Sequence, residues 1–126
     1  MGIMTAMPTD FRDGQTFPRP GRRKAGEALW LFRLADKARA AKAGTIYDYV
    51  YPCPMDRGVL ERWGVPITEF EAALDEYPDD ETLIQWFRTR VLPEAVQSAN
   101  HWLLDEKAEN LDRQDREEGV PASKDA

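Results

Sequence analysis

The apolar stripe Leu31, Leu34, Ala35, Ala38 and Ala41 constrains this chain more than any other feature. Its steps of three and four residues mark one face of a helix, predicted over about residues 26–43. Gly44 follows, where a residue without Cβ takes positive φ and closes a helix at little cost. Asp36 stands three residues from both Arg33 and Arg39, so the three can meet on one helix flank. Past Gly44 the pattern changes. Tyr47, Tyr49 and Tyr51 alternate with Ile46, Asp48 and Val50, and Pro52-Cys53-Pro54 then stiffens the backbone and removes two amide donors. The alternation favours a strand over 46–51, but no second strand pattern exists to pair with it. An extended segment or a single helical turn is expected instead.

Helical patterns continue beyond the turn. Residues 55–63 form a short helix closed by Gly64 and set off by Pro66, with Asp56 placed to cap its start. Thr68-Glu69-Phe70-Glu71 has the form of a capping box and opens a helix to residue 76. Asp79 or Asp80 caps a fourth helix through Val91, and Pro93 suits the first turn of a fifth. The fold class is therefore all-α: a single small domain of about five helices over residues 26–111. Prolines and glycines make 1–25 an irregular arm, which Phe11 and Phe17 can pack onto the body. Charge dominates 112–126, predicting a disordered tail. The basic group Arg19, Arg22, Arg23 and Lys24 is short and unsupported, and its expected role is a solvated lead-in to the first helix.

Composition narrows the function classes. A net charge of −6 argues against a general nucleic-acid binder, which needs a concentrated basic face. A single cysteine makes no internal disulfide and suits a reducing, cytoplasmic setting. The amino terminus lacks the basic start and apolar run of a signal peptide, Ala6 spoils a myristoylation pattern, and no apolar run reaches membrane-spanning length. A soluble protein without membrane or nucleic-acid partners is expected.

Three segments carry a resemblance: DKARAAKAGT, YVYPCPMD and LERWG. With the Trp86 helix they resemble an uncharacterised family of small bacterial proteins catalogued as a domain of unknown function. The resemblance spans roughly residues 26–104 and implies a small helical domain without an assigned activity. Trp102 here follows Asn100, where the family pattern has tryptophan first, so the resemblance assigns Asn100 no role.

The chemistry-bearing residues are few. Cys53 is the only thiol, and free cysteines are most often small buried hydrophobes. A reactive thiolate needs a cation, a histidine or a helix amino terminus beside it. His101, the only histidine, has Asp105 one turn away and reads as a helix-surface pair; without a second histidine or paired cysteines, no metal or other cofactor is assigned. The four tryptophans fall on or at the ends of helices and are expected in the core. The candidate site is a mixed cluster of Arg33, Asp36, Lys37 and Arg39 with Tyr47, Tyr49, Tyr51, Cys53 and Asp56. Cations and phenols together suit an anionic ligand such as a carboxylate or phosphate ester. The plainer alternative, which the pattern alone favours, has Asp36 neutralising its helix neighbours and the tyrosines packing half-buried. No catalytic residue is assigned. The preferred reading is a non-catalytic interaction or small-anion-binding module, with a small anion or a protein as partner. The alternatives are an enzyme or thiol-redox protein using Cys53 and the tyrosines, and a haem-responsive regulator using Cys53-Pro54.

Overall fold

Every regular element among the described residues is a helix. A computed structural model describes residues 7–121 and contains α1 (Leu31–Ala43), α2 (Pro54–Trp63), α3 (Ile67–Glu76), α4 (Asp80–Arg90), α5 (Pro93–Asp105) and α6 (Ala108–Glu117). The all-helical class agrees with the expectation, and the described residues hold six helices instead of about five. The first six residues of the arm and residues 122–126 of the expected tail lie outside the described residues. No described helix is long and apolar enough to cross a membrane.

The central helix α1 is buried nearly all round, and its stripe residues Leu31, Leu34, Ala35 and Ala38 all lie in the core. Gly44 closes it at φ 74°, as expected. Its start is later than the stripe predicts. Ala25 and Ala28 exchange two backbone hydrogen bonds across a tight turn, and Trp30 sits in the left-handed region at φ 74°. That conformation costs a non-glycine residue on the order of 1–3 kcal/mol. Three hydrogen bonds hold the turn. The Trp30 amide donates to the Gly21 carbonyl at 2.8 Å, and Asn100 accepts from the Leu29 amide while donating to the Glu27 carbonyl. Helical spacing cannot report a turn fixed by a residue on α5.

The helices α2 and α5 pack closely because Gly58 has no side chain: a Cβ there would lie 2.2 Å from the Trp102 ring. Arg62 covers the other side of that ring at 4.0 Å. On the opposite flank Trp63 meets Phe87 edge to face at 4.8 Å, tying α2 to α4. Trp30 and Trp63 are buried, and Trp86 and Trp102 are partly buried against the core, so the tryptophans are packing residues as expected.

Three local expectations are corrected. The capping box is not at Thr68, since α3 begins at Ile67 with no side-chain cap. It lies on α2, where the Cys53 amide donates to Asp56 Oδ2 and the Asp56 amide to Cys53 Sγ. Arg19 is no solvated lead-in. Its side chain lies, mostly covered, over the Phe32 ring and clamps Asp36 of α1 to Asp80 of α4. The described part of the expected disordered tail, residues 112–121, continues α6 and the turn after it. Leu111 anchors that helix at 1% exposure, Arg22 pairs with Asp112 and Asp115, and Glu118 reaches α1. The partners of those charges lie some 85–93 residues earlier in the chain, beyond the reach of local composition.

Residues 46–51 form turns, not a strand, with Tyr47 left-handed at φ 59° and Tyr51–Pro52 cis. Phe11 holds the arm down: it is buried edge to face against Tyr49 at 5.3 Å, and its amide donates to the Thr45 carbonyl. Phe17 is half-buried.

Candidate functional site

The nine candidate residues separate into three places around α1. Asp36 faces α4, where it accepts from the Arg19 amide at 2.9 Å and from its guanidinium at 2.9 and 3.0 Å. Desolvation pushes the Asp36 carboxyl up from its ordinary value, and the Arg19 bonds pull against that rise. Asp36 therefore does not neutralise Arg33 or Arg39 through direct pairing; Arg19 takes that place.

Arg39 and Tyr51 line a second cleft, of about 620 Å³, between α1 and α3. Burial lowers the Arg39 pKa; the nearby Asp36 and Asp80 carboxylates oppose that only at a distance, and its direct contact is Met7 Sδ at 3.0 Å. The Tyr51 phenol donates to Glu71 at 2.9 Å, and burial together with that carboxylate raises its pKa.

The remaining residues converge on the third place. Arg33 and Lys37 stand one turn apart on α1, both buried. Asp56, fully buried at the start of α2, accepts from the Lys37 ammonium at 2.8 Å, the Trp30 indole N–H at 2.8 Å and the Cys53 amide at 2.9 Å. Lys37 Nζ also lies 3.3 Å from Cys53 Sγ. A buried carboxylate with three donors is satisfied, and satisfaction is what makes a buried ion pair tolerable.

One turn earlier, Arg33 presents its two terminal nitrogens to Glu118 at 2.9 and 2.7 Å, and the Tyr49 phenol donates to the same carboxylate at 2.8 Å. Burial opposes the Arg33 charge, but the Glu118 bonds outweigh it and leave the pKa above its ordinary value. Desolvation and the Glu118 carboxylate push the Tyr49 phenol up as well. A guanidinium fork plus a phenol is a three-point carboxylate receptor, specific in geometry as well as charge.

Beside this receptor lies a cleft of about 420 Å³, whose lining includes Arg33, Lys37, Tyr47, Tyr49 and Cys53. Its lining is mixed: Phe17, Tyr47 and Val50 supply apolar surface, Tyr47 and Val50 being 60% and 65% exposed, and Asp48, Arg113 and Glu117 add charge. Tyr49 and Cys53 therefore roof one cleft while Tyr51 roofs another. Among the described residues no group of three histidine, cysteine or carboxylate side chains could hold a metal ion. His101 pairs with Asp105 at 2.9 Å on the exposed face of α5.

Trp30, Arg19 and Glu118 are missing from the predicted cluster although they complete it. Glu118 sits in the charged run Arg116-Glu117-Glu118, where nothing local separates a buried carboxylate from solvated neighbours.

An all-helical domain with a buried cation pair beside a polar cleft is the class that fold and geometry define. The chain belongs to a family known as a domain of unknown function, DUF5069, whose model matches residues 15–124. That match is longer than the resemblance in the sequence, taking in both Arg19 of the arm and Glu118 after α6. No curated protein matches the chain.

Proposed function

We propose that this domain is a non-catalytic binding module for a small carboxylate with an apolar body, held in the cleft beside Arg33 and Tyr49. The observation that carries this reading is the buried Arg33 and half-buried Tyr49 already closed on a carboxylate, that of Glu118. Lys37 adds a second cation nearby, and the exposed Tyr47 and Val50 supply apolar contact for the rest of a ligand. In a ligand site apolar contact supplies affinity and placed polar groups fix orientation. The lone cysteine suits a reducing, cytoplasmic compartment, and the net charge of −6 is unsuited to a nucleic-acid partner.

The test is a thermal-shift screen of the full chain against aromatic and aliphatic carboxylates. A ligand at about 100 times its dissociation constant should stabilise the protein by roughly 2.7 kcal/mol. The gain should shrink in Tyr49→Phe and persist in Arg39→Ala, whose side chain lines the other cleft. A gain that disappears only in Arg39→Ala transfers the site to that second cleft, and no gain with any carboxylate removes the reading.

A second reading rests on one distance. Cys53 Sγ lies 3.3 Å from the Lys37 ammonium at the amino end of α2, the setting in which thiols react. Native labelling of Cys53 at the rate of a free thiol supports thiol chemistry; labelling only after denaturation assigns Cys53 to the helix cap.

A further inference from the structure

We propose that α6 is a lid and Glu118 its built-in competitor: the chain's own carboxylate occupies the Arg33–Tyr49 receptor and must leave for a ligand carboxylate to enter. This rests on the reading of the cleft as a carboxylate site and adds its regulation.

The attachment of α6 supports exchange. Leu111 is its only buried residue. Its other ties to the body are mainly ionic: Arg22 to Asp112 and Asp115 at 2.9 and 3.1 Å, and Arg33 to Glu118. The Arg22 pairs are part-exposed and lose little on lifting, because water replaces each partner; the Arg33–Glu118 pair is buried, and a ligand carboxylate restores it when Glu118 leaves. The helix ends at Glu117 with Glu118 as its C-cap, Gly119 follows at φ 71°, and the Val120 amide donates back to the Asp115 carbonyl. Glu118 is thus presented by a short, closed element and not by a strap woven into the core.

The cleft itself is partly walled by α6, through Arg113, Gln114 and Glu117, so raising the helix widens the same space that Glu118 vacates. Arg33 Nε and Gln114 Oε1, both on residues lining it, are buried without a hydrogen-bond partner among the described residues. A ligand that adds apolar contact with Tyr47 and Val50 to its carboxylate gains what Glu118 lacks, and that surplus drives the exchange. A raised state populated at about 10% or less holds the apparent affinity of the wild type about tenfold or more below that of the open cleft.

The experiment titrates benzoate into the full chain by calorimetry, with benzamide as the neutral isostere, on wild type, Glu118→Gln and Arg33→Met. Benzoate should bind Glu118→Gln about tenfold or more tightly than wild type, while benzamide and Arg33→Met give no binding. Amide exchange over residues 108–117 of wild type should accelerate on saturation with benzoate, a readout that remains if Glu118→Gln fails to fold. Equal affinities for wild type and Glu118→Gln, or unchanged exchange in saturated wild type, overturn the lid and leave the carboxylate site standing. Absence of binding to both wild type and a folded Glu118→Gln overturns the site and the lid together.

Discussion

Two helices bring a carboxylate to α1, and they do so on different terms. The first, α2, carries Asp56 to Lys37 and buries four apolar side chains of its own, Met55, Val59, Leu60 and Trp63. The second, α6, carries Glu118 to Arg33, one turn away, and buries only Leu111. Each large apolar side chain contributes about 1.5–3 kcal/mol when fully buried. The Asp56 pair is therefore locked in place by packing, whereas the Glu118 pair is held mainly by its own bonds. Two ion pairs of similar length and burial differ in permanence because of what surrounds them, and only the weakly seated one is suited to exchange.

The largest expected effect lies on the packed side. Asp56→Ala leaves the Lys37 ammonium buried without its carboxylate and the Trp30 indole without an acceptor, and should cost about 3–5 kcal/mol in urea denaturation. A cost below about 1 kcal/mol places Asp56 outside the structural core and breaks the comparison from that side. Gly58→Ala, which drives a Cβ into the Trp102 ring, should cost about 1–3 kcal/mol and loosen α2 against α5. Glu118→Gln should cost less than Asp56→Ala, about 1.5–3 kcal/mol, since the amide oxygen still accepts from Arg33 and α6 can rise and let water reach it. A Glu118→Gln cost equal to that of Asp56→Ala makes both pairs structural.

A smaller effect is alkaline. Burial and a carboxylate partner raise the pKa of both Tyr49 and Tyr51 above the ordinary phenol value of 10.0. The folded state then holds protons that the unfolded chain releases. The stability this contributes is complete below about pH 10 and is lost as pH climbs toward the folded-state values. Urea midpoints measured across the alkaline range should fall, and less steeply in Tyr49→Phe. An unchanged slope in that variant means the phenol near Glu118 is not perturbed.

The packed half of this account was legible in the sequence, and the exchangeable half was not. The stripe from Leu31 and the stop at Gly44 are local patterns that the structure contains, while Asp56 caps α2 from inside its first turn, with Cys53 in the N-cap place expected for Asp56. Arg33, Lys37, Tyr49 and Cys53 were grouped because helix spacing and a following turn put them within reach of one another. Asp36 and Arg39 were misplaced in that group because helix flank spacing says nothing of Arg19, an arm residue that takes Asp36 for itself. Glu118 and the left-handed Trp30 depend on partners far away in the chain. A strongly charged helix with one buried leucine resembles a solvated tail until its partners are known.

The comparison between α2 and α6 is tested most directly by native-state amide exchange under increasing urea, read helix by helix. Amides of α6 should exchange through a local opening well below the free energy of global unfolding and nearly independent of urea. Those of α2 should exchange only with the whole domain. Equal protection of the two helices, with the same urea dependence, would contradict the claim that Glu118 is held by a displaceable lid.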